Sequence, residues 1–258
     1  MIEKWLVIGT DARLKIVAKK LSDETRTIFY KSSERWDNEL NEAVAAFQPT
    51  HIILPIQPLQ ITAPVQLTVK PKWFVGKLNS EWEKVLESAH VSHYLQHEPF
   101  IWKNADLTAL GLLTYFLNEQ VILKNKKIIV TGFGRVAKMI AKLFSLHGAT
   151  VIITARSEVQ LAEAAAYGYD TLLLNPNNER EADYLVNTIP FKWLNETYAI
   201  YQRLKILDVA SKPGCIGGEL ENLHYQFLHA LPSKYFPTEA AILLYEAVNE
   251  LNKGGESC

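Results

Sequence analysis

Short apolar runs alternate with stretches of helical periodicity along the whole chain. Leu6-Val7-Ile8 is a buried-strand run that stops at Gly9. Residues 14–21 carry apolar positions at helical spacing. Thr27-Ile28-Phe29-Tyr30 predicts a second strand, 37–47 a second helix, and His51-Ile52-Ile53-Leu54 a third strand closed by Pro55. Strands separated by helices predict a parallel sheet. Residues 56–71 are rich in Pro and Gln and read as loop. Trp73-Phe74-Val75 and residues 91–95 are weaker strands, so a first domain is expected over residues 1–100.

Residues 104–122 form one apolar stretch at helical spacing, with Asn104 or Asp106 as the cap. Its apolar residues lie on most faces, so a buried linker helix is expected over 101–123. A second domain, 124–236, opens on Lys126-Lys127-Ile128-Ile129-Val130. Strands recur at 151–154, 171–174, 184–188, 205–209 and 226–230, and helices fit between most of them, which predicts a doubly wound sheet. The final segment, 237–258, holds a helix with Ala240, Leu243, Leu244, Ala247, Val248 and Leu251 on one face. That stripe needs a partner, and the second sheet already has its own helices. The fold expected is therefore α/β: two Rossmann-like parallel-sheet domains joined by a long helix, with the C-terminal helix returning to the first domain or the linker helix.

Composition narrows the class without changing it. Of 258 residues, 48% are apolar and 21% charged, and the net charge is −1, an ordinary globular balance. No basic stripe suggests nucleic acid or a membrane surface. No uncharged apolar run reaches the roughly 18 residues of a membrane span. The N-terminus enters a strand with no apolar stretch of signal-peptide length. Two cysteines, Cys215 and Cys258, make no disulfide framework, and a cytoplasmic location is expected.

The strongest chemical signal is Ile128-Ile129-Val130-Thr131-Gly132-Phe133-Gly134-Arg135-Val136-Ala137. It gives G-x-G-x-x-A between a strand and a helix. Gly132 permits the tight turn, Gly134 lets backbone approach a pyrophosphate, and Ala137 lets the helix pack close to the strand. The helix N-terminus adds free N–H groups and partial positive charge. A dinucleotide site is expected over Gly132, Phe133, Gly134, Arg135 and Val136. An NAD site usually has an acid about 20 residues on, to hold the ribose hydroxyls. Here that place reads Ala155-Arg156-Ser157. An arginine and a hydroxyl suit a 2′-phosphate, so NADP(H) is expected, although an arginine that merely solvates a loop gives the same letters.

Three further segments carry a family resemblance. They are Gly9-Thr10-Asp11-Ala12-Arg13, Asp208-Val209-Ala210-Ser211-Lys212-Pro213-Gly214, and Ala230-Leu231-Pro232-Ser233-Lys234-Tyr235-Phe236-Pro237, with Asn187-Thr188-Ile189-Pro190 fitting as well. Together, and in this order over nearly the whole chain, they resemble the dipicolinate synthase A-chain family of spore-forming bacteria. The resemblance implies a nicotinamide-dependent oxidation of a dihydrodipicolinate-like ring, drawn from a branch of the lysine/diaminopimelate pathway. It implies a small dicarboxylate substrate and, as partner, a flavoprotein-like second subunit. We expect a homo-oligomer. The chain departs from the family pattern at Cys215 and Gly217, where a second glycine and an aspartate usually follow Lys-Pro-Gly. It departs again at Ala230-Leu231-Pro232-Ser233, where Gly-Leu-Pro-Gly is common, and at Leu110, where the linker helix usually has an acid. A diverged NADP-dependent reductase of another small acid, or a noncatalytic nucleotide-binding subunit, therefore stays open.

Arg13, Ser211, Lys212 and Lys234 are the candidate substrate-binding residues, each cationic or hydroxylic and each beside a strand end or a proline-stiffened loop. A local ion pair or an exposed loop position explains each of them equally simply. Asn187, Thr188, Ile189 and Pro190 are candidates to line the nicotinamide half of the cofactor. Asp11 reads as a helix cap and Asp208 as a buried structural acid; no general base stands out. His90, His93 and His97 lie at metal-like spacing but across a predicted strand and loop, so no metal site is expected. The six tryptophans show no regular spacing and read as packing residues.

Overall fold

The computed structural model describes residues 2–175, 181–218 and 224–254. The chain forms two compact units, one of residues 1–103 with 236–258 and one of residues 104–235.

The first unit runs β1 (Glu3–Ile8), α1 (Ala12–Leu21), β2 (Arg26–Lys31), β3 (Arg35–Trp36), α2 (Asn38–Phe47), β4 (His51–Ile53), β5 (Gln60–Ile61), β6 (Lys72–Val75), α3 (Ser80–Val85) and β7 (His90–His93). Its main sheet has the order β2-β1-β4-β6-β7, all parallel. Both faces are covered, which is why β1 is a continuous apolar run rather than an alternating one. Alternate residues still divide between faces. Trp5 and Val7 join Leu14, Val17, Phe74 and Tyr94 in one core, while Leu6 and Ile8 join Trp36, Leu40, Val44, Trp73 and Trp82 in the other.

α4 (Glu98–Asn118) leads from the first unit into the second. It starts and stops earlier than its apolar pattern predicts. Pro99 lies in its first turn, where a missing N–H leaves no bond unmade. The expected caps Asn104 and Asp106 lie inside the helix instead. At the far end Gln120 takes the left-handed conformation (φ +57°), and Val121 N donates back to Phe116 O at 2.9 Å.

The second unit continues with β8 (Lys127–Thr131), α5 (Arg135–Leu146), β9 (Thr150–Ala155), α6 (Glu158–Ala166), β10 (Asp170–Leu173), β11 (Tyr184–Asn187), α7 (Ala199–Gln202), β12 (Lys205–Asp208), β13 (Tyr225–Phe227) and α8 (Leu231–Tyr235). Its six parallel strands lie in the order β10-β9-β8-β11-β12-β13. That is the doubly wound order of two mononucleotide-binding halves meeting at β8. Two local expectations change. The last strand stops at Phe227 instead of reaching residue 230, and the segment holding Lys234 is a short helix rather than a loop. Pro232 sits in the first turn of that helix, where proline is accommodated.

α9 (Pro237–Gly254) returns to the first unit and packs against α1. Ala241, Leu244, Ala247 and Val248 are buried in the core that holds Val17 and Phe74, with Leu243 and Leu251 partly buried against it. Cys258 lies outside the described residues. Among the described residues no helix is long and apolar enough to cross a membrane.

Candidate dinucleotide site

The crevice end of the second unit is built at the C-terminal edge of its sheet. β8 is buried through Ile128, Ile129 and Val130, and the chain then turns at Gly132. Gly132 has φ +77°, and its N–H donates to Thr154 O at 2.7 Å. A side chain there would meet Thr188 Oγ1 and Ile189 Cγ1 at 3.3 Å. Gly134 differs. It is exposed, its φ is −80°, and a Cβ added to it meets nothing within 4 Å. α5 begins at the next residue, and its cap position, Gly134, brings no side chain to the first turn. Ala137 is fully buried beneath it. Open space over Gly134 at the start of a helix fits a pyrophosphate. Phe133 turns its ring inward against Tyr167 and Tyr169 and offers only backbone to the crevice. Arg135 is exposed and Val136 half-buried.

At the end of β9, Ala155 is buried, and Arg156 and Ser157 are exposed. Ser157 caps α6 by accepting from Gln160 N at 3.4 Å, which leaves its hydroxyl proton to donate. The Arg156 guanidinium lies 5.4 Å from the centre of the Phe191 ring, a cation–π contact. It therefore stands between the loops that follow β9 and β11.

β11 ends at Asn187, in register with Thr131 of β8. Asn187 is buried, and its Oδ1 accepts from Thr131 Oγ1 (2.7 Å), Trp193 Nε1 (3.1 Å) and Ile189 N (3.2 Å). Thr188 ties the same strand ends together: its N–H donates to Thr131 Oγ1 at 3.1 Å and its hydroxyl to Thr131 O at 2.6 Å. Pro190 and Phe191 stand exposed beyond. The loop after β12 exposes Ser211 and Lys212, while Gly214 N donates to Ser211 O at 3.1 Å. Cys215 is fully buried; burial, reinforced by the nearby Asp208 carboxylate, pushes its thiol far above the usual range. A buried neutral thiol is not a nucleophile.

The other candidates have local partners. Arg13 is nearly buried in the first unit and chelates the Asp11 carboxylate through Nε (3.0 and 2.9 Å) and Nη2. Asp11 also caps α1 by accepting from Arg13 N. Burial pushes the Asp11 carboxyl up, but the Arg13 contacts outweigh it and hold the group below its ordinary value. Lys234 is exposed on α8, 5.3 Å over the Tyr235 ring. His97 pairs with Glu250 at 3.0 Å, and no cluster of three metal-ligand residues occurs among the described residues. Leu110 is partly buried on α4. Phe191 went unrecognised in sequence, because a lone aromatic after Ile-Pro carries no pattern. The polar residues that end β8, β11 and β12 do carry one: each closes an apolar run at the crevice edge.

The strand order and the glycine turn define a dehydrogenase-like nucleotide-binding fold. No protein-family model matches the chain. Within that class the chain resembles the A chain of dipicolinate synthase at a diverged level. It is 25% identical to that protein of Bacillus subtilis (strain 168), over 96% of this chain and 95% of the relative. The crystal structure of the Bacillus subtilis A chain superposes with a TM-score of 0.76 at 21% identity, covering 98% of this chain and 97% of that one. The corresponding chain of dipicolinate synthase from Bacillus halodurans gives a TM-score of 0.78 at 20% identity, covering 96% and 97%. These two structures share the fold of this chain.

Proposed function

We propose that this protein is an NADP-dependent oxidoreductase that oxidises a dihydrodipicolinate-like cyclic dicarboxylate. The observation that carries the reading is the turn between β8 and α5, with open space over Gly134 at the point where the two halves of the sheet meet. The substrate class rests on the resemblance to dipicolinate synthase. A bound oxidised nicotinamide would supply the hydride acceptor, and a substrate ring that gives up a hydride and a proton becomes aromatic. The chain's share is to bind and orient. Gly132, Gly134 and the first amides of α5 hold the pyrophosphate. Thr188, Ile189 and Pro190 edge the nicotinamide half. Ser211 and Lys212, exposed after β12, receive a substrate carboxylate by hydrogen bond and charge. Lys234 is a further exposed cation available to a dicarboxylate. Arg13, already neutralised by Asp11, serves mainly to fix the turn after β1. A flavoprotein-like second subunit is the proposed partner.

NADP(H) is preferred because Ala155 leaves no carboxylate to repel a 2′-phosphate, and Arg156 is held at the strand end by Phe191. An arginine–phosphate contact is worth roughly 1.5–3 kcal/mol, a preference of roughly ten- to a hundredfold. Binding titrations with both phosphorylated and unphosphorylated dinucleotides test this. Arg156→Ala is expected to erase most of the preference while leaving NAD(H) affinity nearly unchanged, and adding Ala155→Asp is expected to turn it toward NAD(H). Equal affinities in the unmodified protein would show that this loop does not read the phosphate. Turnover on a panel of cyclic dicarboxylates tests the substrate class. Cys215 and Gly217, where the family has other residues, favour a second reading, an NADP-dependent reductase of a different small acid; turnover confined to such an acid would establish it.

A further inference from the structure

Asp208 closes β12 in register with Asn187, and it is fully buried. Its Oδ1 accepts from Asn187 Nδ2 (2.8 Å) and Ala210 N (3.0 Å), and its Oδ2 from Cys215 N (2.7 Å) and Tyr225 Oη (2.9 Å). The two backbone amides can only donate. The Asn187 amide is oriented by the three donors on its Oδ1, so its Nδ2 donates as well. Each carboxylate oxygen thus receives two hydrogen bonds, the arrangement that suits the anion. Among the described residues no Lys, Arg or His forms an ion pair with it. Among the described residues the carboxylate is held by neutral donors; burial, reinforced by this carboxylate, pushes the Cys215 thiol and the Tyr225 phenol upward. Gly214 packs closely against the carboxylate. A Cβ at Gly214 would lie 2.9 Å from its Oδ2 and 3.1 Å from Tyr225 Oη, and Gly214 itself has φ +77°.

We infer that Asp208 is a charged positioning residue of the nicotinamide half of the site: it holds the loop bearing Ser211 and Lys212, links that loop through Asn187 to the cofactor turn, and favours the oxidised dinucleotide over the reduced one. This rests on the dinucleotide reading proposed above. In the doubly wound order the adenosine half lies toward β9, so the nicotinamide half lies over β11 and β12, where Asp208 sits. The oxidised nicotinamide ring carries a positive charge and the reduced ring none. A fixed negative charge on the same side of the sheet would therefore separate the two forms. Unit charges about 10 Å apart, at an effective dielectric of about 20, interact strongly enough to change an equilibrium constant roughly tenfold. The direction suits an enzyme that starts its cycle by accepting a hydride.

The test is the ratio of dissociation constants, reduced over oxidised, for NADP(H) and for NAD(H) on the full chain. Asp208→Asn removes the charge. Tyr225→Lys keeps the carboxylate but places an ammonium where the phenol donates, and Tyr225→Phe removes one hydrogen bond while leaving the charge. The ratio is expected to fall roughly tenfold in Asp208→Asn and in Tyr225→Lys and to stay unchanged in Tyr225→Phe. A lesion that only loosens the loop weakens both forms together and leaves the ratio where it was. Should Asp208→Asn not fold, the two Tyr225 variants decide. An unmodified protein that binds none of the four dinucleotides overturns the dinucleotide reading itself. One that binds them with the same ratio in every variant overturns this inference alone.

Discussion

At single residues, backbone conformation separates what the fold needs from what the ligand needs. Gly132 has positive φ and close neighbours, so any substitution there strains the fold before it touches a cofactor. Gly134 has an ordinary φ and open space, so Gly134→Val is expected to fold normally. It should nevertheless lose at least tenfold in dinucleotide affinity, about 1.4 kcal/mol, because a branched side chain stands where phosphate approaches backbone. Paired thermal melts and binding titrations check both halves of that statement; unchanged binding in a folded variant removes the turn from the site. Ala230 shows the converse. It adopts φ +54°, a conformation that costs an L-residue roughly 1–2 kcal/mol, at a place where the resembled family commonly has glycine. Ala230→Gly is expected to stabilise the second unit by about 0.5–1 kcal/mol, the relief of strain less the added freedom of the unfolded chain. A denaturant midpoint that falls in this variant would refute the strain.

Among the elements, the sequence was most legible where burial is complete and least where ends and short pairings decide. β1, β4 and β8 are buried on both faces, so each is a run of apolar residues that needs no periodicity to be seen. α9 was legible in both existence and destination, because its stripe had one uncovered sheet to go to. The start of α4 was not, because Pro99 reads as a helix breaker unless it is known to sit in the first turn. The pairing of β3 with β5 was invisible: two residues on each strand leave no pattern. Within the site, the glycine turn and the missing acid at Ala155 could be read, whereas the contact of Arg156 with Phe191 joins residues 35 apart and needs the fold. Strand starts also hold a titrating group. His51 opens β4, stacks on Trp5 at 4.2 Å and is nearly buried. Burial lowers its pKa below the ordinary 6.5, and the neighbouring Glu3 only partly opposes this. The unfolded chain therefore takes up the proton first. Stability is full above 6.5 and is lost as the pH falls through the lowered value. Between 6.5 and 4.5, the ordinary value of Glu3, melts of the unmodified protein should drop more steeply than those of His51→Phe. Parallel curves would show that His51 carries no linkage.

In the whole molecule, each unit buries its own core, and every residue proposed to hold the dinucleotide, from Gly132 to Pro190, belongs to the second unit. The unfolded chain has no such site, so a bound dinucleotide must stabilise the folded second unit by mass action. At a hundred times the dissociation constant the gain is about 2.7 kcal/mol. For a chain of this size, where each kcal/mol moves the midpoint by roughly 2–4 °C, that is a rise of roughly 5–10 °C. The rise should be larger for NADP(H) than for NAD(H) at equal concentration, and Arg156→Ala should bring the two together. Hydrogen exchange locates the effect: amides of β8, the first turn of α5 and the loop after β11 should gain protection directly from the ligand. This measurement separates function classes without a substrate in hand. A rise with turnover on a cyclic dicarboxylate marks the oxidoreductase. A rise with no turnover on any small acid marks a nucleotide-binding subunit that has kept its site and lost its chemistry, the outcome that the buried Cys215 and the missing acid at Leu110 would then explain. No rise with any of the four dinucleotides, in a protein that melts cooperatively, would mean that the glycine turn survives here only as a fold element.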